Sequence, residues 1–237
     1  MNVDFMVERY LKYNGILSGG IYYKNIQDFI SRYTVIATEG NVGTGTSARK
    51  ITMAVNGIEA FVYGAEFQSQ FKFSFFTGFF SNFGLYSNYA FTHSDATINK
   101  RIPANYSDLE VNIYEDGVEI LSDPDEIEHI SLPGQAKHSA NIAIFYEGDK
   151  FYTRISGNYH DTYLLELGAD ADLDEYISDA WHIDFTASYK ILDNLKWFVD
   201  IINVTGTPTT SYLGNEDFLV KQEYTSIWGR TGIKFQF

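Results

Sequence analysis

The chain has 237 residues, no cysteine and a formal net charge of −14 at pH 7. The lack of thiols excludes a disulfide scaffold, a zinc-thiolate centre and a cysteine nucleophile. The negative balance argues against nucleic acid as a partner, because phosphate binding needs a positive surface. Apolar residues make up 45% and charged residues 20%, which excludes a disordered chain. The unusual figure is the aromatic content of 17%, from 18 Tyr, 19 Phe and 3 Trp, beside 19 Gly and only 4 Pro. No run of 18 apolar residues exists, so no transmembrane helix is expected. No basic, then apolar, then small-residue segment opens the chain, so no signal peptide is expected within it.

The dominant period is two. Nine strands are predicted, at about 2–11, 16–33, 52–74, 82–97, 137–147, 150–167, 181–192, 195–210 and 221–237, and no helix. In the third, Phe61, Tyr63, Ala65, Phe67 and Phe71 alternate with Glu66, Gln68 and Gln70. In the sixth, Phe151, Thr153, Ile155 and Tyr159 oppose Tyr152, Arg154, Ser156, Asn158 and His160. In the seventh, Trp181, Ile183, Phe185, Ala187 and Tyr189 oppose His182, Asp184, Thr186, Ser188 and Lys190. At the end, Ile227, Ile233, Phe235 and Phe237 oppose Arg230, Lys234 and Gln236. Alternation of this kind gives each strand one apolar and one polar face. The connections alternate too. Tight turns are expected at 12–15, 148–149 and 193–194, with a somewhat longer one at 75–81. Long polar connections are expected at about 35–51, 98–136, 168–180 and 211–220.

Strand length separates a membrane barrel from a soluble β protein. Soluble strands usually run ~5–6 residues, whereas a tilted membrane-spanning strand needs about 9–11. Most predicted segments reach the longer figure. Short turns at one end, long loops at the other and many aromatics describe an all-β, antiparallel, up-and-down transmembrane barrel wall with short periplasmic turns and long extracellular loops. Nine is an odd count, however, and a sheet in lipid must close or leave its edge amides unpaired. The expectation is therefore a segment of about nine strands belonging to a larger barrel.

The last eight residues are Arg230, Thr231, Gly232, Ile233, Lys234, Phe235, Gln236 and Phe237. A polar residue, a glycine two places later, then aromatics at the third-last and last positions resemble the terminal signal read by the outer-membrane barrel assembly machinery. Arg230, Gly232, Phe235 and Phe237 are its candidate residues. Other stretches extend the likeness: GILSGGIYYKNIQDFI (15–30), NGIEAFVYGAEFQSQ (56–70), SNFGLYSNYAFTHSD (81–95), SLPGQAKHSANIAIFYE (131–147) and LKWFVDIINVTGTP (195–208). In this order and spacing they resemble the C-terminal part of a TonB-dependent outer-membrane receptor. That family's architecture is a 22-stranded barrel around an N-terminal plug. The resemblance implies that residues 1–237 are a partial barrel, the last nine strands, with the plug domain absent from the chain and TonB reached through that missing N-terminal part. It also implies an outer-membrane location in a Gram-negative cell. The implied partners are outer-membrane lipid, the rest of the barrel and the plug, and a small-molecule or glycan cargo such as a siderophore, cobalamin or an oligosaccharide.

Two stretches are strongly acidic. Residues 102–136 hold nine Asp or Glu and 166–184 hold seven, and neither holds Lys or Arg. A solvated loop surface accounts for this; capture of a cation or a hydroxylated cargo is the functional alternative. Asp170, Asp172 and Asp174 alternate like the start of a calcium loop, but the sixth and twelfth places hold Glu175 and Trp181 instead of Gly and Glu. No metal site is assigned. The candidate lumen-facing residues are Glu66, Arg154, His160, Asp184, Asp200 and Arg230. No catalytic constellation is present: the five His lack H-E-x-x-H spacing, and there is no G-x-S-x-G elbow. The chain is expected not to be an enzyme and to bind no cofactor. The competing class is a passive porin or a structural, adhesin-anchoring barrel.

Overall fold

A computed structural model describes residues 1–12, 15–37, 49–101, 113–114, 117–118 and 122–236. Its strands in chain order are β1 (Asn2–Leu11), β2 (Gly15–Gln27), β3 (Ile30–Ala37), β4 (Arg49–Asn56), β5 (Glu59–Lys72), β6 (Phe83–Arg101), β7 (Ile113–Tyr114), β8 (Gly117–Val118), β9 (Ser122–Ile130), β10 (His138–Glu147), β11 (Phe151–His160), β12 (Tyr163–Glu166), β13 (Glu175–Ile177), β14 (Ala180–Leu192), β15 (Leu195–Ile202), β16 (Thr209–Leu213), β17 (Leu219–Glu223) and β18 (Trp228–Phe235). Nine of them form an antiparallel wall in the order β1-β2-β5-β6-β10-β11-β14-β15-β18, and β9 pairs with the far end of β6. The wall stays open. Among the described residues no strand pairs with the outer side of β1 or of β18.

The nine wall strands answer to the nine predicted ones, with two corrections. Five predicted segments each run through a break into a second strand. The breaks fall where the backbone leaves the sheet. Asp28 (φ 52°) ends β2 and Asn203 (φ 53°) ends β15, both in the left-handed region that Asp and Asn tolerate best after Gly. The long connections are also not plain polar loops. β3 and β4 form a hairpin, and β12, β13, β16 and β17 form a separate four-stranded sheet. Residues 102–112, 115–116 and 119–121 of the acidic connection lie outside the described residues, as do Phe237 and parts of the first turn and the first long loop.

The register sorts side chains cleanly. Phe5 lies opposite Ile21, Ile21 opposite Ala65, and Phe67 opposite Tyr89. Ile144 lies opposite Ile155, Ile155 opposite Phe185, and Tyr189 opposite Trp197. These rows make one apolar face, and it is exposed: Phe5, Ile21, Ile155 and Ile233 all stand among the exposed hydrophobics. A protein that shows its apolar face outward and keeps polar residues inward matches lipid as its solvent. Aromatic rows edge this face. Tyr63, Tyr89 and Trp181 lie towards one end; Phe71, Phe83, Tyr146 and Phe151 lie at the other.

Glycines on the polar face let aromatic rings lie flat across it. The Tyr22 ring crosses Gly64 and its hydroxyl sits 2.5 Å from Thr92 Oγ1, a strand further on. A Cβ at Gly64 would come within 2.2 Å of the Phe91 carbonyl oxygen and 2.6 Å of the Tyr22 hydroxyl. The backbone oxygen cannot yield without breaking the ladder. Gly64→Val is therefore expected to cost about 3 kcal/mol or more. A lowered midpoint in heat-modifiability gels would register it, and an unchanged midpoint would refute the close approach.

The main buried core sits at the long-loop end. Phe29, Tyr33, Ala60, Ala96, Ile98, Leu164 and Leu167 form one cluster, with Leu164 and Leu167 fully buried. Ile26, Ala60 and Ala96 share a row, so this is the polar face turned apolar for one patch. The chain around β12 packs onto that patch and is tied down: the Leu167 amide donates to the Arg32 carbonyl at 3.1 Å, and the Gly134 amide to Leu164 at 2.7 Å. The β12 segment thus folds over the polar face instead of extending away from the wall.

Candidate functional site

All six predicted lumen residues fall on the polar face, though not as one cluster. Arg154 pairs in register with Thr186, Thr186 with Asp200, and Asp200 with Arg230. Ser139 lies opposite His160, Ser156 opposite Asp184, and Glu66 opposite Ala90. The structure brings Asp200 and Arg230 into an ion pair, Arg230 Nε donating to Asp200 Oδ2 at 2.9 Å. Arg230 is largely exposed, so this pair contributes little, on the order of 1 kcal/mol or less. Asp200→Asn is expected to leave thermal stability almost unchanged; a large loss in a melting experiment would show that the pair is less solvated than its exposure indicates.

The other four have separate settings. Asp184 Oδ1 accepts the Asn203 amide at 2.9 Å and so fixes the end of β15. His160 Nδ1 lies 3.1 Å from the Asp161 carbonyl, with its ring edge-on to Tyr163. The Arg154 guanidinium lies over Tyr86, and its buried Nε has no hydrogen-bond partner among the described residues. Glu66 lines a groove of about 300 Å³ with Ser18, Gln68, Asn88, Ser139 and Asn141. Asn141 Nδ2 donates to Asn88 Oδ1 at 2.7 Å across two strands. Hydroxyls and amides dominate this groove, and Glu66 is its one charge. Of the four assembly-signal residues, Arg230, Gly232 and Phe235 lie in β18, with Gly232 under the Phe198 ring; Phe237 lies outside the described residues.

Sequence reasoning missed the residue that organises the outer end. Arg101, at the tip of β6, is buried and joins both acidic stretches. Its Nε donates to Glu128 Oε2 at 3.0 Å and its Nη2 pairs with Glu128 Oε1. Its Nη1 pairs with Asp174 Oδ1, and Nη2 donates to Asp174 Oδ2 at 3.2 Å. Nη1 also reaches the Gly168 carbonyl at 3.2 Å, and Asp174 takes the Gly168 amide at 2.8 Å. The planar fork of arginine matches two carboxylates at once, which lysine could not do. A signal existed: Arg101 is the last cation before the acid-only stretch. Asn203 was missed likewise; its Nδ2 donates to the Thr207 carbonyl at 2.9 Å and the Thr225 carbonyl at 3.0 Å, which explains the asparagine in NVTGTP.

Two acids of the second stretch have structural partners. Asp174 serves Arg101, and Asp170 accepts the Leu173 amide at 3.1 Å as a cap. Among the described residues no three His, Asp or Glu are placed to hold a metal ion.

The electrostatics give a pH dependence. Hydrogen bonding from Arg101 holds the Glu128 carboxyl below its ordinary 4.5, against the opposing effect of burial. A depressed carboxylate contributes stability that is present above the ordinary value and lost as pH falls through the folded value. Asp174 runs the other way, since burial pushes it up and its protonation is favoured in the folded state. The acid-sensitive contribution therefore belongs to Glu128. Glu128→Gln should lower hydrogen-exchange protection around Leu167 at neutral pH, with the difference from wild type starting to shrink below pH 4.5 and vanishing only once the pH has fallen through the lowered value of Glu128 itself. A difference that persists in acid would show that charge is not the cause. Burial also pushes the nearby Tyr33 hydroxyl up to about 12, keeping it neutral.

Comparisons with known proteins fit this geometry. The family described as TonB dependent receptor-like, beta-barrel matches residues 2–204. The copper transporter OprC is similar over 100% of this chain and 31% of its own, at 14% identity and a TM-score of 0.58. The siderophore receptor PiuA from Acinetobacter baumannii is similar over 99% of this chain and 28% of its own, at 13% identity and 0.58. The FrpB iron transporter from Neisseria meningitidis is similar over 100% and 31%, at 14% identity and 0.56. The chain thus spans less than a third of each of these structures. A comparison with curated protein sequences gives no significant match. An open antiparallel wall with a lipid-facing side, a polar side and a family match over most of its length is an outer-membrane barrel structure, and the chain belongs to the TonB-dependent receptor-like β-barrel family.

Proposed function

We propose that the chain is the C-terminal barrel portion of a TonB-dependent receptor that imports a scarce nutrient across the outer membrane. The plug and the TonB-contacting segment lie outside it. The observation that carries this reading is the outer end, where Leu164 and Leu167 hold the chain around β12 over the polar face. A passive porin keeps its lumen open to water, whereas a receptor must present a binding surface at its outer mouth. In this reading the polar face lines the lumen, with Glu66, Arg154, His160, Asp184, Asp200 and Arg230 on the path between the plug and the cargo. β18, with Arg230, Gly232 and Phe235, is the strand handed to the barrel assembly machinery, and Phe237 follows it in the sequence as the last residue of that signal.

The groove at Glu66 is rich in amides and hydroxyls, and two of the long connections are acidic in sequence. Both suit a neutral, hydroxylated or peptide cargo better than an anionic iron chelate. The copper, siderophore and iron proteins named above take their own cargo and do not fix this one. The test is equilibrium binding to receptor extracted from outer membranes, with neutral oligosaccharides and short peptides set against a ferric catecholate. Micromolar or tighter binding confined to the neutral group is expected. Binding of the ferric catecholate alone would overturn the cargo class, and a steady ion conductance without TonB would overturn the receptor reading in favour of a porin.

A further inference from the structure

We infer that the turn between β5 and β6 is a membrane anchor that inserts its phenylalanines into the periplasmic leaflet. The other short turns of the wall are polar: Gly148 and Asp149 between β10 and β11, and Asp193 and Asn194 between β14 and β15. The turn from Phe73 to Asn82 reads FSFFTGFFSN, with five phenylalanines and no charge. It is folded, not ragged. Gly78 takes φ +71°, Gly78–Asn82 form a 3-10 turn, and Ser81 Oγ donates to the Gly78 carbonyl at 2.6 Å.

Its rings turn outward. Phe75, Phe76, Phe79 and Phe80 are 67%, 52%, 61% and 63% exposed. They form one chain of contacts, with Phe75 and Phe76 centroids 4.5 Å apart and Phe79 and Phe80 5.7 Å apart. That chain joins a particular side of the wall. Phe73 touches Phe71 at 5.8 Å, Phe79 touches Phe83 at 5.4 Å and Tyr146 at 5.0 Å, and Tyr146 continues to Phe151 at 6.1 Å. Phe71, Phe83, Tyr146 and Phe151 all belong by register to the apolar, lipid-facing side. The exposed cluster is therefore continuous with the lipid-facing surface and extends it past the strand ends. Charge stays on the opposite side, where Lys72 and Glu147 pair at 2.5 Å. An uncharged aromatic ledge on the membrane side of the rim has the chemistry of the headgroup–acyl boundary. Lipid is its occupant, and the ledge would fix the depth and tilt of this part of the wall.

The structure contains its own control. Phe218, between β16 and β17, is 67% exposed, the same as Phe75. With the receptor reconstituted in vesicles of phosphatidylethanolamine and phosphatidylglycerol, hydroxyl-radical oxidation read by mass spectrometry should modify Phe75, Phe76, Phe79 and Phe80 at least fivefold less than Phe218. Equal rates would overturn the proposal. To tell lipid from a covering protein, Phe79→Cys can be labelled with an environment-sensitive fluorophore, since the chain has no other cysteine. Strong quenching by phosphatidylcholine brominated near the glycerol, with little quenching by aqueous iodide, is expected; Asp149→Cys should show the reverse. A Phe79 label shielded from both quenchers would mean that protein covers the turn, and the lipid anchor would fall. The oxidation experiment uses the unsubstituted protein, so the proposal remains testable if the cysteine variant does not assemble.

Discussion

Replacing Arg101 with methionine is expected to release the outer-end loops from the polar face. The side chains of Arg101 and Asp174 are 2% and 4% exposed, so the substitution leaves a buried carboxylate with little beyond the Gly168 amide for compensation. Breaking a buried pair in this way costs about 3–5 kcal/mol. The loss should be local, because the wall ladder does not pass through Arg101's side chain. Hydrogen exchange at Leu167 and Gly168 should accelerate by two or more orders of magnitude, and a protease should cut within 163–177, while the wall keeps its protection. Arg101→Lys should recover only part of the effect, since an ammonium cannot fork to Glu128 and Asp174 together. Arg101→Met combined with Asp174→Leu should recover more than Arg101→Lys, because an apolar pair of similar volume avoids the stranded charge. Unchanged exchange in Arg101→Met would mean that the apolar patch under Leu164 and Leu167 holds the loops unaided.

The wall was readable from the sequence because each strand there meets lipid on one side and polar residues on the other. That contrast writes itself as alternation: Trp181 out, His182 in, Ile183 out. The same rule failed at the strand ends. Beyond Asp28 and Asn203 the alternation lapses, with Phe29 and Ile30 both apolar and Gly206 and Pro208 in the second segment, yet the predicted strands ran on through both breaks. Only the left-handed backbone at those residues, and the hydrogen bonds that Asn203 makes to Thr207 and Thr225, turn the chain aside. The outer core was illegible for a related reason. Ala60, Ala96 and Ile98 sit on the nominally polar face, and nothing local announces that Leu164 will cover them. Arg101 shows the same limit for charge. Its partners lie 27 and 73 residues away, and counting acids identified the stretches they come from without telling which two acids turn inward. Alternation puts all six candidate residues on one face of the wall, but it carries no information on which of them touch.

The second large effect concerns the two edges. β1 and β18 each present one side of their backbone to no other described strand. β1 has 10 residues and β18 has 8, and along an edge every second residue directs its N–H and C=O outward. In hydrocarbon each such unsatisfied group costs several kcal/mol. Summed over both edges the penalty reaches tens of kcal/mol, well above the ~5–15 kcal/mol that holds a typical domain folded. The chain refolded alone in detergent micelles is therefore expected to aggregate or to pair edge to edge, without giving a monodisperse, heat-modifiable monomer. Static light scattering on the size-exclusion peak, with a seminative gel beside it, reads this directly. Pairing through β1 and β18 should also be selective. A single proline at Met6 or at Thr231, whose amides face away from β2 and β15, would remove one outward N–H from its strand and disfavour that edge as a template. A stable monomer of the chain alone would mean that the wall curls until β1 meets β18. Nine strands would then suffice for closure, and the reading of this chain as one arc of a larger barrel would fail.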